Sequence, residues 1–375
     1  MRRVLAIVSF VLAGALAPNI AAAQQAAKPD SPPTFQPEPF WPKPLPEGWI
    51  LGQVAGIAVS PDDHIWIIHR PATLLDDEKG LEKNPPEYKC CKAAPAVMEF
   101  DTDGNLLRHW GGAGAGHEWV KNEHGIHIDK DGSVWLGGNN DGDQILHFTP
   151  EGKFINQIGK DDGTKGPRSN DTARLNRPAH MFTDEAANEI YVADGYGNRR
   201  VIVFDAKSGA YKRHWGAYGN KPNDDKQPPY APTAELSRQF SSPVHCVRIA
   251  NDGLVYVCDR VNDRIVNDRI QVFRKDGSFV KELRVTPATL ANGSVWDLVL
   301  SEDKDQRFIF TADGANGQIT TLLRETGEQI GQWGRQGRQP GQFKWVHNMA
   351  IDSKGNLYTA EVGFGRRVQK FKRTN

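Results

Sequence analysis

The sequence lacks net charge: 46 Lys and Arg residues balance 46 Asp and Glu residues. A nucleic-acid binder gathers basic residues against the phosphate backbone, so this balance argues against a nucleic-acid partner. It also supplies no long-range steering toward a charged surface. Long apolar runs are missing after the N-terminal residues, which excludes a helical membrane span in the remainder of the chain. Cysteine is scarce. The four present, Cys90, Cys91, Cys246 and Cys258, allow at most two bridges.

Turn formers, by contrast, are plentiful, with 37 Gly and 24 Pro among 375 residues and many Asn and Asp beside them. That composition suits many short strands. The N-terminus reads as a signal peptide over residues 1–23. Arg2-Arg3 form its basic start, Val4 to Ala17 an apolar stretch too short to span a bilayer, and Ala21-Ala22-Ala23 a cleavage site before Gln24. Export to the periplasm or the extracellular space follows, where disulfides persist. Residues 24–45 are Pro-rich and polar, as an extended linker would be. Cys246 and Cys258 flank the turn Asn251-Asp252-Gly253 symmetrically, so a hairpin would set them face to face for a cross-strand bridge. The adjacent Cys90 and Cys91 are compatible with a vicinal bridge or with two free thiols.

From about residue 46 to 375 one pattern recurs: an apolar strand, a D-G-like turn, a second strand, a loop, a third strand, and a fourth that often ends in Trp-Gly. Val244–Ile249, Asn251-Asp252-Gly253 and Leu254–Asp259 form one clear copy, and His347–Ile351, Lys354-Gly355-Asn356 and Leu357-Tyr358 another. His109-Trp110-Gly111, His214-Trp215-Gly216 and Gln332-Trp333-Gly334 end fourth strands. Four strands every 40–50 residues or so is the signature of a propeller. Copies begin near Gln53, His124, His180, His245, Asp297 and His347, which predicts an all-β, six-bladed NHL-type propeller. The last copy has only about three strands, and the segment before Gln53 is expected to supply the missing one and close the ring. Val261–Ile265 is repeated at once as Val266–Ile270, which lengthens one loop after a second strand.

First strands line the channel of a propeller. One position read through the six copies gives Ala55, His124, His180, His245, Asp297 and His347. Packing alone does not call for four His and an Asp there. His124, His245 and His347 fall in alternate copies, roughly 120° apart around the axis, so they would converge as a tripod. Three neutral imidazoles with one open position is the pattern of catalytic zinc. His180 and Asp297 would then contact substrate. Arg70, Tyr196 and Arg260 follow second strands at the same face. Two guanidinium groups suit a substrate carboxylate, and a tyrosine beside a cation suits a proton acceptor.

These residues resemble the lyase half of the peptidylglycine α-amidating enzymes over roughly Gly52 to Lys372. The stretches that carry the likeness are Gly52–Ala58 with Ile68-His69-Arg70, His124-Gly125-Ile126, Asp194-Gly195-Tyr196-Gly197-Asn198, Val244-His245, Asp259-Arg260 and His347-Asn348. The resemblance implies cleavage of a small or peptide-derived α-hydroxyglycine compound to an amide and glyoxylate by a monomeric enzyme. It implies His124, His245 and His347 as zinc ligands, Tyr196 as base, and Arg70 and Arg260 as substrate clamps. It also implies a calcium ion held by the carbonyls of Ile57 and Ile126 and by Asn348. Asn348 stands where the family has Asp, which removes a charge from that calcium site. Trp345 replaces a Met, and the family's disulfide positions do not match Cys246 and Cys258. Two other readings fit a six-bladed ring: a calcium-dependent lactonase-type hydrolase, for which Asp297 and Asn348 are suitable oxygen donors, and a non-catalytic binding scaffold.

Overall fold

The computed structural model describes residues 31–114, 116–163, 165–226, 237–260 and 268–375. The expected signal peptide and most of the Val261–Ile270 duplication lie outside the described residues. Within them, six four-stranded antiparallel sheets follow one another along the chain. Their first strands are Gln53–Val59, Glu123–Ile128, His180–Asp184, Val244–Ile249, Asp297–Leu300 and Val346–Ile351. Each begins within one residue of a repeat start read from the sequence. A two-stranded parallel pair, Trp49–Ile50 with Lys92–Ala93, is added beside the first blade.

The repeat has a physical basis in each blade. Second strands carry one large aromatic at a common register: Trp66, Trp135, Tyr191, Tyr256, Phe310 and Tyr358, all buried. Burying each such side chain stabilises the fold by about 2–3 kcal/mol. The Trp-Gly endings serve the seams between blades. Trp110 closes the first blade, donates Nε1–H to the Pro150 carbonyl at 3.0 Å and packs under Gly152 of the second. Gly152 has φ +79°, and a Cβ there would come within 2.7 Å of the indole.

Buried ion pairs tie second strands to third strands. Asp194 holds Arg200, Asp259 holds Arg269 and Glu361 holds Arg367, at 2.8–2.9 Å. In the fourth blade the partner of Asp259 therefore comes from the second copy of the duplicated segment. Removing one partner of such a pair costs about 3–5 kcal/mol. Cys246 and Cys258 form the expected cross-strand bridge, and Cys90 and Cys91 are also joined.

The sixth blade takes its outer strand from Phe35–Pro37, which pairs with the C-terminal strand Arg367–Arg373. This is the expected closure. It places three residues of the Pro-rich segment inside the sheet, where the Phe35 ring lies against Phe310 and Trp333 at 5.3 and 5.5 Å. No helix among the described residues is long and apolar enough to cross a membrane.

Candidate active site at one end of the channel

Four of the six first strands carry a bulge near their start. Register breaks fall at Ala55 in the first blade, His124-Gly125 in the second, His245 in the fourth and His347 in the sixth. A bulge re-aims a side chain, and here it turns the imidazoles inward. Ring nitrogens of His124, His245 and His347 lie within 4.8 Å of one another. Ring centroids are 4.7 Å apart for His124 and His347, 4.8 Å for His245 and His347, and 5.4 Å for His124 and His245.

Each imidazole is fixed through its Nδ1. His124 bonds the carbonyl of Ala179 and His347 that of Ala55, both at 2.7 Å, and His245 bonds the carbonyl of Trp296. A carbonyl only accepts, so Nδ1 carries the proton and Nε2 keeps its lone pair. By strand register, Ala55, Ala179 and Trp296 occupy in the first, third and fifth blades the place that the histidines occupy in the others. The mouth of the channel thus alternates three imidazoles with three carbonyls, each His bonded to the next blade. Burial, with like charge from neighbouring His and Arg groups, drives the His124 and His245 pKa well below the ordinary value. Burial, with Arg70 and Arg260, brings His347 down to about 3. All three are neutral at pH 7, as a metal requires. A closed nitrogen tripod of this kind fits zinc.

The Tyr196 hydroxyl sits against this tripod. It is 2.9 Å from His245 Nε2, 3.3 Å from His124 Nε2 and 3.1 Å from Arg260 Nη1. The loop after Asp194 can deliver it only because Gly195 is small: a Cβ there would lie 2.0 Å from the Val244 carbonyl oxygen. The corresponding residue of the first and fourth blades is an arginine, Arg70 and Arg260. Ser242 Oγ donates to the Gly195 and Tyr196 carbonyls at 3.0 and 2.9 Å and steadies the turn.

Arg70 donates Nε–H to the Glu123 carbonyl at 2.7 Å and Nη1–H to Gln53 Oε1 at 3.0 Å. Arg260 donates Nε–H to the Asn292 carbonyl at 2.9 Å and lies 3.3 Å above the Trp296 ring. Neither guanidinium is within 4 Å of a carboxylate among the described residues. A cavity of about 380 Å³ is walled by Leu290, Asn292, Lys344 and Trp345, and Asn292 is the residue whose carbonyl Arg260 bonds.

The structure corrects the register of two residues. His180 and Asp297 do not share the ring of the tripod. They pair with Ala193 and Ala312, one step further along their strands than Ala179 and Trp296. Both are buried and committed to protein groups. His180 Nδ1 bonds the Val247 carbonyl at 3.1 Å. Asp297 Oδ2 accepts from Arg248 Nη2, Asn348 Nδ2 and the Met349 N–H at 3.0, 3.1 and 2.9 Å. Expected as substrate contacts, they are internal supports.

One donor expected for calcium, Asn348, is engaged within the protein. Asn348 Oδ1 accepts from His347 Nδ1 at 2.9 Å while its amide donates to Asp297. Met349 stands in the sixth blade where Ile57 and Ile126 stand in theirs, and its carbonyl accepts from Arg248 at 2.9 Å. Sequence reading missed Trp296, Gln53, Asn292 and Ser242. Trp296 alone had a signal, as a large aromatic directly before a channel-lining residue.

The fold and this site define a six-bladed propeller of NHL type with a histidine tripod on its axis. Its homologues include α-amidating lyases. The chain is 23% identical over 332 residues to peptidyl-alpha-hydroxyglycine alpha-amidating lyase 2 of Drosophila melanogaster, covering 85% of this chain and 71% of that protein. It is 26% identical over 298 residues to NHL repeat-containing protein 3 of Mus musculus, covering 74% and 72%. It is 25% identical over 248 residues to peptidyl-glycine alpha-amidating monooxygenase B of Xenopus laevis, covering 62% of this chain; the match spans only 24% of that longer protein. No family model matches the chain. A solved streptogramin B lyase shares the fold, with a TM-score of 0.53 at 12% identity, over 91% of this chain and 98% of that one.

Proposed function

We propose that this protein is an exported, zinc-dependent carbon–nitrogen lyase acting on a carbinolamide, R–CO–NH–CH(OH)–COO⁻, and releasing R–CO–NH₂ and glyoxylate. The observation that carries this reading is the Tyr196 hydroxyl held against two of three converging, neutral histidines. The named activity of the amidating-lyase relatives supports the same chemistry.

A zinc ion held by His124, His245 and His347 would polarise the substrate hydroxyl and ease its ionisation. Tyr196, acting as its phenolate, takes the hydroxyl proton, and Arg260, which donates to its oxygen, favours that anion. As the C–O bond becomes a carbonyl, the C–N bond breaks and its electron pair goes to the amide nitrogen. That nitrogen needs one proton, which Tyr196 returns, so no co-reactant is consumed. Arg70 and Arg260 hold the carboxylate that leaves as glyoxylate. Nitrogen donors disfavour the calcium-dependent hydrolase reading, because calcium takes oxygen ligands.

The test is glyoxylate release from N-benzoyl-α-hydroxyglycine by the zinc-loaded protein. Catalysed release, lost on chelation and restored by zinc, is expected. A zinc-loaded protein that leaves this compound and a peptidyl-α-hydroxyglycine untouched would overturn the reading.

A further inference from the structure

One layer inside the tripod, the channel holds a charge network that the proposed reaction does not use. Arg248, on the first strand of the fourth blade, reaches across the axis to the fifth and sixth blades. Its Nη2 donates to Asp297 Oδ2 at 3.0 Å and to the Met349 carbonyl at 2.9 Å. Asp297 is fully buried, and Arg248 nearly so. The same carboxylate oxygen accepts from the Asn348 amide, whose carbonyl oxygen accepts from His347 Nδ1. In the third blade, His180 fills another inward carbonyl, that of Val247.

We infer that the channel carries its own cation: beneath the tripod the Arg248 guanidinium takes up a buried carboxylate and an inward backbone carbonyl that could otherwise serve a divalent ion. The groups it bonds are of the kind a calcium ion takes, a carboxylate and a backbone carbonyl, and a guanidinium satisfies them as a hydrogen-bond donor at fixed geometry. One carboxylate, Asp297, balances this one monovalent cation.

The experiment is metal analysis and thermal unfolding of the intact protein, in EGTA and in millimolar calcium chloride. Expected results are no stoichiometric calcium and a Tm that calcium leaves unchanged, with any fall in EGTA reversed by zinc and not by calcium. Arg248→Ala should lower Tm by roughly 5–10 °C, since it strands a buried carboxylate. Calcium should recover part of that loss in the variant alone, and Arg248→Lys should retain more stability than Arg248→Ala. One calcium per native chain, a native Tm that falls in EGTA and is restored by calcium but not by zinc, or an Arg248→Ala Tm equal to the native value would each overturn the inference. Should Arg248→Ala not fold, the native protein's calcium content and its response to calcium after EGTA decide alone. Zinc is read in the same samples. Its absence would sink the proposed lyase and leave the channel inference standing, whereas calcium would do the reverse.

Discussion

His245 Nδ1 is bonded to the carbonyl of Trp296, the residue that holds in the fifth blade the place His245 holds in the fourth. Repeated twice more around the ring, this bond makes the tripod a property of the circular arrangement of blades rather than of any one blade. The bulged strand supplies the imidazole and its neighbour supplies the orientation. Such a site is pre-formed, because neither the tautomer nor the ring plane has to be selected when metal arrives.

Replacing one imidazole should therefore empty the site without opening the propeller. His245→Ala removes one of three ligands and leaves the inter-blade packing of Val244 and Val247 in place. Bound zinc should fall from about one per chain to near none after dialysis, with the far-ultraviolet circular dichroism spectrum unchanged. A folded His245→Ala protein that still holds one zinc would place the metal elsewhere.

Tyr196→Phe separates chemistry from metal binding. The ring remains packed between His124 and His245, with centroids 5.1 and 5.5 Å away, but the proton carrier is gone. Zinc content should be retained while kcat for glyoxylate release falls by about 10²–10⁴-fold. A loss confined to KM would assign the hydroxyl to binding instead.

Gly195 is the hinge of that arrangement. A methyl group 2.0 Å from the Val244 oxygen has to displace either the Tyr196 turn or the start of the fourth blade. Gly195→Ala should cost about 1–3 kcal/mol in a urea titration and should lower kcat along with it. If activity survives at full stability, Tyr196 is not positioned by this contact.

Much of this was legible in the sequence, and the one-residue error has a definite cause. Strand starts and Trp-Gly seams recur because every blade meets the same packing problem. The tripod histidines were found because they keep the repeat spacing. His180 kept it too: seven residues separate it from Asn188, as seven separate His245 from Gly253, both turn residues with positive φ. The third blade lacks the bulge, but four residues separate its paired Asp184 and Glu189, against three between Ala250 and Leu254 in the fourth. The missing residue in the strand is offset by an extra one in the turn, so counting cannot see the shift. The carbonyls that orient the tripod were invisible for a different reason, since backbone groups leave no residue type to read. Arg248 looked like any arginine on a strand until its partners from two other blades were in place.

The buried histidines set the expected pH dependence of stability. Burial brings His69 down to about 4 and His180 and His347 to about 3, and holds His124 and His245 well below the ordinary value. The unfolded chain, with ordinary pKa near 6.5, binds protons at pH values where the folded chain does not. Their contribution is therefore complete above about pH 6.5 and is lost as pH falls toward 4, at about 1.4 kcal/mol per pH unit for each group. Metal-free protein should show a Tm that drops steeply between pH 7 and pH 5. Zinc should steepen the drop, because protons compete for the same nitrogens. His180→Gln removes one titrating group outside the tripod, so its slope should be shallower by about one group's share. An unchanged slope in that variant, or a flat profile in the parent, would mean that these imidazoles are not held neutral by burial.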